Sequence, residues 1–283
     1  MTCRELYLLA RRRLGGAGVD SPGADAAALA QRFLGLDRAG LALHGEEAPP
    51  PQREAAFLQA VEERAARRPL QYILGEWEFM GLPLAVGEGV LCPREDTAVL
   101  VEELARRLGE RPHPRGLDLC AGTGAVALGL RTLLPQAEVL CLELSDRAFP
   151  YLEENLRRHG KGLAAARKGD VLSPALAGEF VPGSLDFIAS NPPYIETGEL
   201  PGLQPEVRRE PALALDGGAD GLVFYRAIAR LWAPLVKPGG LVAVEIGENQ
   251  GPAVERLFQQ AGLTAVETAQ DWAGLDRVVS GLR

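Results

Sequence analysis

Beyond Arg94 the chain alternates short apolar runs with longer amphipathic ones, and this alternation restricts the fold more than any other feature of its 283 residues. "GLDLCAG" precedes the helical "AVALGLRTLLP", and "EVLCLELS" precedes "DRAFPYLEENLRRHG". "LAAARKGD", "SLDFIAS" and "GGLVAVEIG" read as further strands, with "GLVFYRAIARLWAPLV" and "NQGPAVERLFQQAG" as helices. Strands separated by helices pair in parallel, with the helices packed on both faces of the sheet. The final runs "LTAVETAQ" and "RVVSGLR" are joined by only a short turn, so the sheet is predicted to end with one antiparallel strand. The expected class is α/β, with a Rossmann-like, mostly parallel sheet.

The first 72 residues follow a different period. Leu6, Leu9, Ala10 and Leu14 recur at helical spacing and are followed by glycines that stop the helix. "SPGADAAALAQRFLG" has Ser21 as N-cap and Pro22 in the first turn, and "PPPQREAAFLQAVEERAARRP" enters and leaves a third helix through prolines. Short helices on short loops predict a small bundle. From about residue 69 to residue 94 the pattern alternates between glycines, which predicts a β-hairpin. The expected domains are a helical one at 1–72, a hairpin connector at 73–94 and the doubly wound one at 95–283.

Composition excludes several classes. A formal charge of −8 and a pI near 5.1 argue against a general grip on nucleic acid. Cys3, Cys92, Cys120 and Cys141 show no C-x-x-C spacing and the three histidines are scattered, so no metal site is expected. Cys120 and Cys141 fall in apolar strand patterns and read as small core residues. Apolar runs are too short to span a bilayer and the N-terminus lacks a signal-peptide core, so a cytoplasmic location is expected.

In "LDLCAGTGAVAL" a strand meets a turn containing Gly122 and Gly124, then a helix. In a doubly wound sheet this position borders the ligand crevice, and glycine lets backbone approach a bound nucleoside. Glu143 closes the next strand, where its carboxylate can accept from ribose hydroxyls, and Asp170 closes the third. "GTGAVA" also satisfies the loose dinucleotide pattern, with Glu143 at a suitable distance. The turn alone therefore leaves a dehydrogenase and an adenosyl-sulfonium binder both open.

"ASNPPYIE" separates them. Its strand ends in Asn191, Pro192, Pro193 and Tyr194 rather than in a glycine turn. Two prolines stiffen the backbone and remove two N–H donors. The Asn191 side-chain oxygen and the Pro192 carbonyl can then accept both hydrogens of a planar NH2 group, while Tyr194 stacks on its face. Such a nitrogen is a poor nucleophile because its lone pair is delocalised. Two acceptors orient it for in-line attack on a methyl donor with a positively charged sulfur. A dehydrogenase has no use for this clamp.

The Asn-Pro-Pro-Tyr strand end resembles that of class I S-adenosylmethionine-dependent methyltransferases acting on amino groups. "RPLQYILGEWEFMGLPLAVGEGVLCPREDTAVLVE", "REPALALDGGADGLVFYRAI", "VKPGGLVAVEIGENQ" and "DWAGLDRVV" are similar to the HemK/PrmC family, across essentially the whole chain. That resemblance implies S-adenosyl-L-methionine as cofactor and S-adenosyl-L-homocysteine as product. It implies methylation at N5 of the glutamine in the Gly-Gly-Gln motif of class 1 peptide chain release factors. It makes residues 1–72 the substrate-recognition domain and 95–283 the methyltransferase domain of a protein expected to be a monomer. Cys120, Ala121, Gly122, Thr123 and Gly124 would contact the methionine and ribose side, Glu143 the ribose, and Asp170 and Val171 the adenine. Asn191, Pro192, Pro193 and Tyr194 would clamp the amide, with Asn191, Pro192 and Tyr194 catalytic and Asn191 also touching the cofactor. Three positions depart from the family pattern: Glu143 replaces the usual Asp, Val171 a frequent aromatic and Leu275 an Arg. The alternative is an adenine-N6 or guanine-N2 methyltransferase acting on DNA or RNA, against which the acidic chain speaks.

Overall fold

The computed structural model describes residues 1–109 and 111–283, in two compact units: Met1–Glu76 with Gln204–Arg209, and Trp77–Leu203 with Glu210–Arg283. The first unit is helical: α1 (Cys3–Gly16), α2 (Pro22–Leu29, continued by a wider turn to Leu34), α3 (Arg38–His44), α4 (Pro51–Ala65) and α5 (Leu70–Leu74). Thr2 caps α1 reciprocally with Glu5: the Glu5 N–H donates to the Thr2 hydroxyl at 3.2 Å, and the Thr2 N–H to the Glu5 carboxylate at 2.9 Å. Leu6, Ala10 and Leu14 of α1 are buried, as are Leu29 of α2 and Phe57 and Val61 of α4. The alternation in "QYIL" predicts a strand, yet these residues form α5. Pro69 enters the helix, and Gly75, at φ 76°, ends it in a left-handed cap.

The second unit begins within the hairpin β1 (Glu76–Phe79) and β2 (Leu82–Ala85), at Trp77. Then come α6 (Thr97–Leu108), β3 (Arg115–Leu119), α7 (Ala125–Leu133), β4 (Glu138–Glu143), α8 (Phe149–His159), β5 (Ala164–Lys168), α9 (Pro174–Ala177) and β6 (Leu185–Ser190). The chain closes with α10 (Val223–Ala227, extended by irregular turns to Leu235), β7 (Val236–Glu245), α11 (Gly251–Gln260), β8 (Thr264–Gln270) and β9 (Asp276–Leu282).

The seven strands follow the order β5-β4-β3-β6-β7-β9-β8. All neighbours are parallel except around β9, which runs antiparallel to both β7 and β8. The last strand of the chain is thus the antiparallel one, but it lies inside the sheet. The helical return through α11 sets β8 two strand positions from β7, and the short turn folds β9 back into the gap between them. Alternate strand residues serve opposite faces. Phe187, Ala189 and Leu241 pack with Leu100, Leu104 and Leu152, whereas Ile188, Val242 and Val244 pack with Tyr225, Trp232 and Phe258. The chain builds outward from β3 to β5 and then returns to place β6 on the other side of β3. Ligand crevices form at such a reversal in strand order. No helix among the described residues is long and apolar enough to cross a membrane.

In the first unit, Gln204–Arg209 is held by an ion cluster. Arg64 donates to Asp25 at 2.6 Å and to Glu206 at 2.7 Å, Arg67 donates to Glu206 at 2.7 Å, and Arg209 donates to the Ala66 carbonyl at 2.6 Å. The side chains of Arg64 and Glu206 are only 9% and 17% exposed. Removing one partner of a buried pair leaves uncompensated charge, at a cost moderated where water reaches it. Glu206→Ala is therefore expected to lower stability by about 1–3 kcal/mol, measured by chemical denaturation, with Glu206→Gln losing less.

Candidate active site

A cleft of about 910 Å³, counting open solvent at its mouth, lies at the C-terminal ends of β3, β4 and β6 and beyond β5. Its floor is set by the exit from β3. Cys120 (φ 60°), Gly122 (φ 55°) and Gly124 (φ 80°) turn the backbone through left-handed conformations before α7 begins at Ala125. Cys120, read as strand core, instead leaves the strand and lines the cleft. Gly124 has a second reason to be glycine, since a Cβ there would lie 2.9 Å from Leu152 Cδ1 on α8. The fully buried Asn155 secures the same turn: its Nδ2 donates to the Thr123 carbonyl at 3.0 Å and to the Ala85 carbonyl at 3.1 Å.

Glu143 ends β4 with both oxygens engaged. Oε2 accepts the Gly122 N–H at 2.8 Å and Oε1 the Ser145 N–H at 2.7 Å. Each oxygen keeps a further lone pair for a ligand hydroxyl. Asp170 accepts the Leu172 N–H at 2.8 Å, so it shapes its own turn as well as lining the cleft. Val171 is buried beside it, and its carbonyl accepts the Trp232 indole N–H at 2.8 Å.

The pairing of Leu119 with Ser190 on adjacent parallel strands sets the Asn191–Tyr194 turn beside the glycine turn. Asn191 Nδ2 donates to Thr97 Oγ1 at 3.1 Å, and Gln250 Nε2 donates to the Tyr194 carbonyl at 2.9 Å. Pro192 and Pro193 are buried. The segment "GGADG" runs backbone to backbone against this turn: a Cβ on Gly217 would lie 2.8 Å from Tyr194 Cα, and one on Gly221 2.4 Å from the Tyr194 oxygen. Desolvation and the Glu245 charge hold the Tyr194 phenol above its usual range, so it stays protonated.

Of the residues singled out from sequence, Cys120, Ala121, Gly122, Thr123, Glu143, Asp170, Val171, Asn191 and Pro193 line the cleft. Gly124, Pro192 and Tyr194 stand outside that lining and shape it. Pro211, Leu213 and Ala214 of "EPALALDGGADG" supply one wall. That wall is anchored by the buried Glu210, which accepts the Cys92 N–H at 2.9 Å and pairs with Arg94. Leu275, at the β8–β9 turn, is outside the lining and half-exposed.

Two family models match this chain: the PrmC N-terminal domain over residues 5–75 and the methyltransferase small domain over residues 93–203. The chain is 42% identical to the release factor glutamine methyltransferase of Geobacter sulfurreducens, over 99% of this chain and 96% of that protein. It is 43% identical to that of Moorella thermoacetica, over 98% of this chain and 97% of that one. This chain belongs to the release factor glutamine methyltransferase family. A methyltransferase structure from Pyrococcus furiosus shares the fold at 16% identity and a TM-score of 0.51, covering 82% of this chain and 98% of that one.

Thr97, Asp118 and Asn155 escape a reading from sequence, although a carboxylate inside the apolar strand "GLDLC" was a visible signal; of Glu210 the sequence shows only that it opens a polar loop able to lie over the site. In this member of the family, Asp118 lines the cleft at 1% exposure. Oδ2 accepts the Ala127 N–H at 3.2 Å, while Oδ1 has no partner. Burial raises its pKa from 3.8 to about 7, against the Ala127 hydrogen bond and with help from the Glu143 charge. Without ligand, the folded protein therefore holds a proton here that the unfolded chain has lost. Between about pH 4 and 7 this makes Asp118's contribution to stability fall as pH rises. The stability difference between wild type and Asp118→Asn, from denaturation at a series of pH values, should decline across that window and level off above it.

Proposed function

We propose that this protein transfers a methyl group from S-adenosyl-L-methionine to the N5 amide nitrogen of the glutamine in the Gly-Gly-Gln motif of class 1 peptide release factors. It works as a monomer in the cytoplasm and without nucleic acid. The observation carrying this reading is the adjacency of two turns: one with glycines and a terminal carboxylate, suited to a nucleoside, and one ending in Asn-Pro-Pro-Tyr. The names of its full-length relatives support the same substrate.

The residues present fit the cofactor. The unpartnered, buried Asp118 oxygen suits the ammonium of its amino-acid part, and Glu143 has lone pairs for the ribose hydroxyls. Backbone near Gly122 leaves space, since a Cβ there would meet nothing closer than 3.9 Å. Asp170 and Val171 bound the far end, where the adenine goes. Bound there, S-adenosyl-L-methionine supplies an electrophilic methyl group and leaves as S-adenosyl-L-homocysteine.

The protein's own work is on the amide. Asn191 Oδ1 and the Pro192 carbonyl accept its two hydrogens and fix the nitrogen's direction, and Tyr194 packs on its plane. Positioning and electrostatics of this kind account for most of the barrier reduction. The methylated nitrogen sheds one proton readily, so no strong base is required.

Incubation with labelled S-adenosylmethionine should label a release factor and leave DNA and RNA unlabelled; label in nucleic acid alone would reverse the assignment. Asn191→Ala should reduce kcat about 10²–10³-fold, the usual loss on removing one positioned polar partner, and leave cofactor binding nearly intact. Glu143→Ala should instead weaken cofactor binding by roughly 1–3 kcal/mol, read by calorimetry.

A further inference from the structure

Ser190 pairs with Val244 on the parallel neighbours β6 and β7, so the next residues along, Asn191 and Glu245, leave that pair of strands side by side. Glu245 is 2% exposed, lies outside the cleft lining, and its Oε2 has no hydrogen-bond partner. The groups facing its carboxyl are Thr97 and Asp96 from the start of α6, Tyr194 from the clamp and Arg277 from β9. Arg277 divides its charge between Asp271 at 2.8 Å and Asp96 at 3.5 Å. Tyr225 of α10 donates to the Glu245 backbone carbonyl at 3.0 Å, and the Arg94 charge acts on Tyr194. A buried, underpaired carboxyl behind the reactive turn is costly to keep.

Its neighbour Thr97 suggests the reason. An asparagine amide fits its pocket two ways round, related by a half-turn. The clamp works only with the oxygen towards the substrate and the nitrogen towards Thr97. For Thr97 Oγ1 to accept from Asn191 Nδ2, as it does at 3.1 Å, the hydroxyl hydrogen must point elsewhere. An ionised Glu245 is the strongest acceptor for that hydrogen. We propose that Glu245 is a positioning residue which, through the Thr97 hydroxyl, sets which end of the Asn191 amide faces the substrate.

The arrangement is conditional on charge. A protonated Glu245 donates to Thr97, turning the threonine hydrogen towards Asn191 and favouring the reversed amide. Burial raises the pKa of Glu245 to about 7, against the pull of Thr97, Arg277 and Tyr194 and with Asp96 adding to the rise. The clamp is thus correctly set above that pH and is lost as pH falls through it.

This inference rests on the glutamine-methyltransferase reading, which wild-type activity on a release factor tests separately. The experiment is the pH profile of kcat for wild type, Glu245→Gln and Glu245→Leu. Cofactor is kept saturating so that its charge holds Asp118 ionised, and each variant's cofactor affinity is measured by calorimetry. Wild-type kcat should fall about tenfold per pH unit below a bend near 7. Glu245→Gln, whose amide oxygen accepts from Thr97 at any pH, should stay within about tenfold of wild type at pH 8.5 and lose the bend. Glu245→Leu should lose about 10²-fold in kcat at every pH while retaining cofactor affinity. A Glu245→Gln profile with the wild-type bend would overturn the proposal. So would a Glu245→Gln enzyme that folds but is as slow as Glu245→Leu, because charge rather than orientation would then be what counts.

Discussion

Leu119 and Ser190 lie 71 positions apart in the chain and opposite one another in the sheet, and the candidate site of this protein depends on that pairing. Parallel strands cannot be joined by a hairpin, so each return crosses a face as a helix and every strand delivers its C-terminal residue to the same edge. The reversal in strand order then leaves β3 and β6 as neighbours with no helix-connected strand between them. The glycine turn and the Asn-Pro-Pro-Tyr turn meet there because β-sheet geometry leaves them no other place. The Ser190 hydroxyl, fully buried, donates to the Leu119 carbonyl at 2.6 Å and ties the two strand ends together at the last possible residue.

What the sheet brings together, buried polar side chains hold still. Asn155 binds the glycine turn and the β2 backbone at once, Glu210 joins the segments around Cys92 and Pro211, and Gln250 holds the Tyr194 carbonyl. Each replaces a regular backbone ladder that a loop cannot form, and each satisfies groups that would otherwise be buried unpaired. This explains how a long stretch without α-helix or strand, such as 210–222, can form one wall of the cleft. Asp118 and Glu245 are different: each keeps an unpaired buried oxygen, a cost that stability alone does not justify.

Much of this was legible in the chain. The strand–helix alternation, the antiparallel closing strand and the stiff Asn-Pro-Pro-Tyr turn all follow from local pattern, because period and proline chemistry are local properties. α6 was equally legible in principle, since Leu100, Val101, Leu104 and Leu108 recur at helical spacing. α5 was not, because five residues cannot distinguish a period of two from one of 3.6. Nor were Asn155 and Glu210, whose importance arises from partners 32 to 118 positions away. The incorporation of Gln204–Arg209 into the helical unit rests on Glu206 meeting Arg64 and Arg67, and composition marks those residues only as charges on a loop.

The proposed amide clamp does not by itself distinguish glutamine from an exocyclic base nitrogen, since either presents a planar NH2 to two acceptors. The charges of the cleft discriminate better. Among the described residues lining it are three carboxylates, Asp118, Glu143 and Asp170, and a single cation, Arg94, which is already paired with Glu210. Such a cleft favours a ligand bearing a sulfonium and an ammonium and disfavours pyrophosphate, which argues against a nicotinamide dinucleotide at the glycine turn. It also leaves no uncommitted cation at the clamp to receive the phosphates that flank any base in a nucleic acid.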